Sequence, residues 1–399
     1  MKKYDVLVIG GGLVGCASAY YLAKRGANVL LAEKNDINSL ASGQNAGSLH
    51  FQLEHRLMEQ GDALTKQFSR IIPLNCLAAE LWRNLEDELG ESVDVVMKGG
   101  FMVAMNNDEV TLLKKKYALE HNHGMDTQLL TAEEARQIAP YLSKKIQAAA
   151  YFPQEGHANP RLVTPAYARA AIKQGVRIQS HCEVLQLNKN AHKWRVSLKI
   201  DHSGHREDIE ANMVLNAAGA WAGHCALLAA IHLPVSPQAL TMSVTESTHT
   251  FMPHLLQRAG AKLSMKQVSA GNILIGGGWP ARFRYKQGHP DLTQRPTIIM
   301  ENVFQNLGLA AELVPVVEQL HLLRCWTGIV GVIEDQLPLL GEVPGFPGYY
   351  VATGGSGFTL GPAYANLISE LMITGATDHD ISLYNPGRFG HLNSPEEAI

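Results

Sequence analysis

YDVLVIGGGLVGCASAYYLAKRGANVLLAEK, residues 4–34, decides the fold. Tyr4 to Ile9 is an apolar run that predicts a short buried strand, Gly10-Gly11-Gly12-Leu13-Val14-Gly15 a turn, Val14 to Arg25 a helix ending at Gly26, and Asn28 to Ala32 a second strand. In such a β-α-β unit Gly10 permits the sharp turn, Gly12 lets the backbone approach a pyrophosphate, and Gly15 lets the helix pack closely on the strand. The helix N-terminus, at Leu13 and Val14, presents free N–H groups and partial positive charge to that anion. Glu33 ends the second strand 18 residues after Gly15, where a carboxylate can accept hydrogen bonds from ribose hydroxyls, and Lys34 beside it reads as a surface residue on the same edge. Chance glycines can produce the turn pattern alone; strand, helix, second strand and terminal acid at the right spacing together point to a dinucleotide.

Nicotinamide and flavin dinucleotides share the ADP half that this unit holds, so the rest of the chain must choose. A nicotinamide enzyme would continue with further β-α units, whereas Ala41 to Gln52 (ASGQNAGSLHFQ) is a polar loop of small residues, suited to close backbone approach to a flat ring. Far downstream stand Val184 in CEVLQL, then NAAGAW (Asn216 to Trp221), and finally YYVATGGSGFTLGP (Tyr349 to Pro362) with three glycines in four residues.

On these stretches, from residue 4 to residue 370, the chain resembles the D-amino-acid oxidase superfamily of FAD-dependent oxidoreductases, in its glycine oxidase, sarcosine oxidase and D-amino-acid dehydrogenase branch. The loop ASGQNAGSLH is similar to that of the FAD-bearing β subunits of opine oxidase and hydrogen cyanide synthase. The resemblance implies non-covalent FAD. It runs Ser42, Asn45, Ala46, Gly47 and Ser48 beside the isoalloxazine and ribityl chain, and returns to the adenine and pyrophosphate at Val184, Ala218, Gly219 and Trp221. It also brings Gly354, Gly355, Ser356, Gly357, Phe358 and Thr359 to the pyrimidine edge, where helix-terminal dipoles favour charge on the reduced ring.

The expected fold class is α/β: a Rossmann-like FAD-binding domain, discontinuous in sequence (1–92, 146–233 and 322–399), with a second antiparallel-sheet substrate domain from 93–145 and 234–321. In the second, Val95 to Met105 alternates and Thr297 to Leu309 is helix-like. At 399 residues the chain exceeds the ~250–300 at which one core stops growing, so two lobes are expected.

Substrate chemistry is less explicit. His50 follows the flavin loop, where relatives line the substrate cavity, and its imidazole is the candidate catalytic group, as proton acceptor or hydrogen-bond partner; a satisfied, partly buried histidine reads equally well. The family's carboxylate-binding arginine is replaced by Val330 in Gly328-Ile329-Val330-Gly331, and its Arg-Gly-Gln after a proline by Gln238-Ala239-Leu240 after Pro237. Arg324 is expected in a structural ion pair, with substrate binding as the second reading, and Cys325 as packing.

Composition excludes several classes. With 34 basic against 37 acidic residues and no basic stripe interleaved with aromatics, nucleic acid is not a partner. Five scattered cysteines form no CxxC and suggest neither a disulfide framework nor a thiolate metal site. His121/His123 and His202/His205 read as solvated loop histidines, so no metal is expected. Asp5 and the glycine cluster argue against a lipoprotein signal ending at Cys16, and Met213 to Val235 reads as strand, turn and helix rather than a membrane span.

The expected activity is FAD-dependent oxidation of a C–N bond in a small amine, amino acid or opine by hydride transfer to flavin N5, giving an imine that hydrolyses. A redox partner subunit is implied by the opine-oxidase resemblance, in a cytoplasmic protein or one lying on the inner face of a membrane. Oxidation of a hydroxy acid or polyol phosphate on the same fold, or a flavin-holding non-catalytic subunit, are the alternatives.

Overall fold

The computed structural model describes residues 1–59, 61–190, 192–201 and 204–393; His202 lies outside them. Its opening is the expected unit: strand Lys2–Ile9, helix Leu13–Lys24, strand Val29–Ala32. The two strands run parallel from Val6 opposite Val29 to Ile9 opposite Ala32, and Val6 to Ile9 are buried because helices or strands cover both faces. After Arg25 the chain turns at Gly26 with φ +91°, where the left-handed conformation alone selects glycine.

This unit sits in the middle of an eight-stranded sheet. Its main path runs Leu339–Glu342, Tyr349–Thr353, His205–Asn216, Lys2–Ile9, Val29–Ala32, Arg177–Gln179, and the strands Lys193–Ile200 and Cys182–Asn190 extend it antiparallel from His205–Asn216. Ile9 pairs with both Ala32 and Asn216, and Asn216 with Val351, so four parallel strands end at one level. The loops leaving those ends line one crevice, where open parallel sheets bind ligands. Helices Leu13–Lys24, Pro160–Lys173 and Gly361–Thr374 pack together on one face; Leu13, Tyr20, Tyr167, Tyr364 and Leu367 fill that core, each contributing roughly 1.5–3 kcal/mol of burial.

The second sheet has eight strands in the order Leu322–Ile333, Val235–Ser247, Asn272–Gly276, Ser264–Gln267, Leu255–Arg258, Gly100–Ala104, Ala148–Phe152, Gln128–Thr131. It is antiparallel except where Leu255–Arg258 runs parallel to Gly100–Ala104. Two strands depart from the segments expected for them. Ala148–Phe152 and Leu322–Ile333, both read with the nucleotide side, hydrogen-bond here, the latter paired with Val235–Ser247 along its length. Leu322–Ile333 then reaches back to the first sheet, where a Cβ on Gly331 would lie 3.0 Å from Ala220 Cα and Gly219 O.

Other local readings shift. Val95 to Met105 was expected to alternate, but its strand is only Gly100–Ala104 and all five residues are buried. Met102 and Ala104 pack with Leu113 of the Asn107–Asn122 helix, while Phe101 and Val103 join Met265, Ile275 and Leu313 on the other side. The helix expected over Thr297 to Leu309 spans Met300–Leu313. The supposed loop Ala41 to Gln52 contains a helical turn, Ala41–Gln44, and a two-residue strand, Ser48–Leu49, paired with Gly156–His157. His121 is exposed as expected but lies in the helix Asn107–Asn122, with Nε2 2.7 Å from Thr127 O, and His123, half-buried just after that helix, has Nε2 3.0 Å from Ser69 Oγ. His205 begins a strand. Met213 to Val235 is strand, 3-10 turn and short helix, and no described helix is long and apolar enough to cross a membrane.

Candidate active site

The strand ends open into a cavity of about 1250 Å³. That exceeds the ~300–1,000 Å³ of an ordinary ligand pocket, leaving room for an extended dinucleotide and a small second molecule. At its nucleotide end Gly10 holds φ +111° and would bring a Cβ to 2.6 Å from Ala217 O, so glycine is required by both conformation and space. Glu33 Oε2 accepts from Gly11 N–H at 2.6 Å, and Ser42 Oγ accepts from Leu13 N–H at 2.9 Å. A Cβ on Gly12 would stand 2.9 Å from that hydroxyl.

Of the residues singled out in the sequence, Gly10, Gly12, Leu13, Val14, Glu33, Lys34, Ser42, Asn45, Ala46, Ser48, His50, Val184, Ala218, Gly219, Trp221 and Gly354 to Thr359 all line this cavity. Gly15 and Gly47 do not. Gly15 lies under the turn, where a Cβ would collide with Gly10 O, and Gly47, at φ +71°, has its Cα hydrogen side against Ala158 O. Both glycines serve close packing behind the lining. Lys34 sits at the rim, its Nζ 2.7 Å from Glu183. The Asn45 amide is consumed locally: Nδ2 donates to Ala41 O and Ser42 O, and Oδ1 accepts from Gly47 N–H.

On the far side His50 lies between Gln257 Nε2, 2.7 Å from Nδ1, and Ser264 Oγ, 2.8 Å from Nε2. Burial pushes its pKa down to about 4, with Lys266 and Arg56 adding to the shift and Glu54 opposing it, so the ring is neutral. Both nitrogens are engaged, and the imidazole can meet a further group only by giving up one of these partners. Six residues on, Arg56 donates from Nη1 to Gln336 Oε1 and from Nη2 to Glu54 Oε1 and Ser356 Oγ, at 2.9, 3.0 and 2.9 Å. Ser356 Oγ in turn donates to Glu54 Oε1 at 2.9 Å. Burial opposes ionisation of Glu54, yet the Arg56 charge and the bonds from Arg56 and Ser356 outweigh it and hold the carboxyl down at about 2.

The family model described as FAD dependent oxidoreductase matches residues 5–371. This chain belongs to that family. Glycine oxidase of Geobacillus kaustophilus is 29% identical to the oxidoreductase over 393 residues, covering 96% of each chain. Sarcosine oxidase subunit beta of an Arthrobacter species is 27% identical, over 92% of this chain and 88% of that one. Among solved structures, the L-proline dehydrogenase of P. horikoshii superposes with a TM-score of 0.84 at 26% identity, covering 98% of both chains.

Sequence reading of the oxidoreductase missed Glu54, Arg56, Gln257, Ser264 and Gln336, which share the wall with His50. The signal available was Glu54-x-Arg56 a few residues after the small-residue loop. It missed Lys266 as well, whose Nζ lies under Gly47, 3.4 Å from Ala158 O, with burial pushing its pKa down to about 7. Arg324, expected in an ion pair, is instead exposed and stacked over Trp326 at 5.9 Å, as no described carboxylate reaches it. Cys325 packs as expected, its Sγ 3.3 Å from Ser243 Oγ.

Proposed function

We propose that the oxidoreductase holds FAD in this cavity without a covalent bond and oxidises the C–N bond of a small amine or amino acid. One observation carries the reading: loops from four parallel strand ends and the 41–50 segment line a single cavity in a chain of this family. The residues fit the cofactor. Ser48 Oγ is buried in the lining with no hydrogen-bond partner, and the Gly354 to Gly357 turn leaves a wall without bulk. Gly10 to Val14 and Glu33 would hold the ADP half, and Ala46, Ser48 and Gly354 to Thr359 the ring end. Bound FAD supplies the acceptor for a hydride from the carbon attached to nitrogen, and the resulting imine hydrolyses.

The protein's part is to bind, orient and exclude water. Neutral His50 offers a hydrogen-bonding wall. Arg56 stands in for the arginine missing at Val330: its three internal bonds leave Nε–H to donate a single hydrogen bond to a substrate carboxylate beside the positive charge. Cys325 lies outside the lining, against Ser243, which supports non-covalent attachment. The same reading divides the chain into the two lobes expected from sequence, with Ala148–Phe152 and Leu322–Ile333 moved to the substrate side. A relative named as a subunit, together with the resemblance to opine oxidases, supports electron transfer to a partner chain, in the cytoplasm or at a membrane's inner face.

The test is the absorption spectrum of the purified protein followed by anaerobic titration with glycine, sarcosine, L-proline, D-amino acids and opines, beside 2-hydroxy acids and polyol phosphates. Bleaching of the flavin by an amine supports the proposal; bleaching only by a hydroxy compound, or a preparation that stays colourless after incubation with FAD, overturns it. Acid precipitation should leave the flavin in the supernatant.

A further inference from the structure

Beneath the segment that carries His50, Glu54 and Arg56 lies a charged network shut off from solvent. Gln52, Lys116, Glu120 and Glu155 are each 1% exposed or less. Glu155 Oε1 accepts from the backbone N–H groups of Phe51 and Gln52 at 2.8 and 2.9 Å, and its Oε2 accepts from Gln52 Nε2 at 2.8 Å. Glu120 Oε1 accepts from Leu53 N–H at 2.7 Å. Lys116 Nζ, on the same helix as Glu120, joins the halves by donating to Gln52 Oε1 and Glu120 Oε2, both at 2.7 Å. Three consecutive backbone amides are thus held by two buried carboxylates with one lysine between them.

Nothing in a strand or helix demands this arrangement. Residues 51–53 belong to neither, and their amides would otherwise be unsatisfied inside the protein. A buried carboxylate accepts from them more strongly than a neutral oxygen would, at the cost of burying charge. We propose that Glu155 is a positioning residue: it fixes the strap from His50 to Arg56 as one wall of the substrate cavity, and protonation of its carboxylate, which replaces a charged acceptor by a neutral one, loosens that wall. The inference rests on the functional reading above for what the wall faces, though not for the network itself.

Other charged groups around Glu155 leave the switch to its own carboxyl. Lys116 is the cation acting on it, Glu120 is paired with that same lysine, and His157 on the adjoining strand is neutral because burial and Lys266 push its pKa down to about 3. Gly100 packs so closely on Glu155 that a Cβ there would collide with Oε2, so the carboxyl has no room to swing aside. Burial pushes the Glu155 pKa up to about 7, against the pull of its hydrogen bonds and Lys116, which brings the transition into the working range.

Amide hydrogen exchange of the FAD-loaded enzyme reads the device directly, without a substrate. After correction for intrinsic exchange, protection of Phe51 and Gln52 should fall roughly tenfold from pH 8.5 to pH 6, the size expected for one lost hydrogen bond. Leu53, held by Glu120, and the Gly100–Ala104 strand should not change. Glu155→Gln should abolish this pH response, and Glu155→Asp, if the glutamine variant does not fold, should weaken protection at every pH. With a reactive amine from the panel, and after correction for protonation of the amine itself, KM should rise on acidification in the native enzyme and stay flat in Glu155→Gln, with kcat changed far less. Protection of Phe51 and Gln52 that is indifferent to pH, or that falls together with the whole strand, overturns the inference while leaving the proposed reaction intact. A protein that bleaches with no amine overturns the reaction and leaves the exchange result standing.

Discussion

The Arg56 guanidinium donates to Ser356 Oγ at 2.9 Å, a bond between residues 300 positions apart that ties the strap after the His50 loop to the glycine turn before the helix Gly361–Thr374. Glu54 closes the same triangle, and a Cβ on Gly355 would stand 3.4 Å from the guanidinium. The cation is therefore held rigidly at the edge of the cavity rather than left on a flexible stem, and Arg56 governs the first expected outcome.

Arg56→Met should raise KM for amino-acid substrates by tenfold or more while a decarboxylated amine analogue is affected little, as measured by steady-state kinetics. It should also cost about 2 kcal/mol, the scale of hydrogen bonds to a charged group. The Glu54 pKa, held at about 2 in the folded protein, lies below its unfolded value, so the stability it contributes is present at neutral pH and lost as pH falls through that value. The variant should therefore be less sensitive than the native protein to acid unfolding below pH 4. A substrate panel in which carboxylated and decarboxylated amines suffer equally would remove Arg56 from substrate binding.

Glu33→Ala removes the acceptor for Gly11 N–H and the carboxylate facing the expected ribose. FAD affinity, read from quenching of flavin fluorescence, should weaken at least tenfold, corresponding to one charge-assisted hydrogen bond of about 1.5–3 kcal/mol. Unchanged affinity would argue against the assigned orientation of the dinucleotide.

His50→Asn should keep a hydrogen-bonding wall between Gln257 and Ser264 and retain kcat within roughly tenfold, below the ~10²–10⁴ effect typical of a general base. With its pKa near 4, His50 should put no inflexion into kcat/KM between pH 5.5 and pH 9. A larger loss that is restored in no conservative variant would return the imidazole to a proton-transfer role.

Lys266→Met should flatten the pH dependence of apoprotein stability in urea. The folded pKa of about 7 lies below the ordinary lysine value near 10.5, so the unfolded chain binds the extra proton between them. Native stability should accordingly climb as pH rises from 7 to 10, by a few kcal/mol at about 1.36 kcal/mol per pH unit of difference. The methionine variant should be the more stable of the two near pH 7, and an identical slope in both would show that the ammonium is solvated.

The opening unit was legible because its determinants are local: an apolar run, glycines at fixed offsets, and an acid at the end of the second strand. The turn at Gly354 to Gly357 carried the same kind of signal. Gln257, Gln336 and Lys266 gave none, since each is an ordinary polar residue until another part of the chain folds against it. The assignment of Ala148–Phe152 and Leu322–Ile333 to the second sheet was equally hidden, because a strand's composition records that it pairs and not with which partner.

The sequence alone determined the dinucleotide-binding unit, the family and the glycine-rich part of the cavity lining, because steric permission at glycine and short-range spacing are properties of neighbours in the chain. The tertiary structure decided the wall that follows residue 50: that Arg56 is fixed at the cavity edge by Glu54, Gln336 and Ser356, that His50 is neutral and saturated, and that two buried carboxylates hold its strap. Those are matters of charge and burial, and both depend on distances that only the folded chain sets.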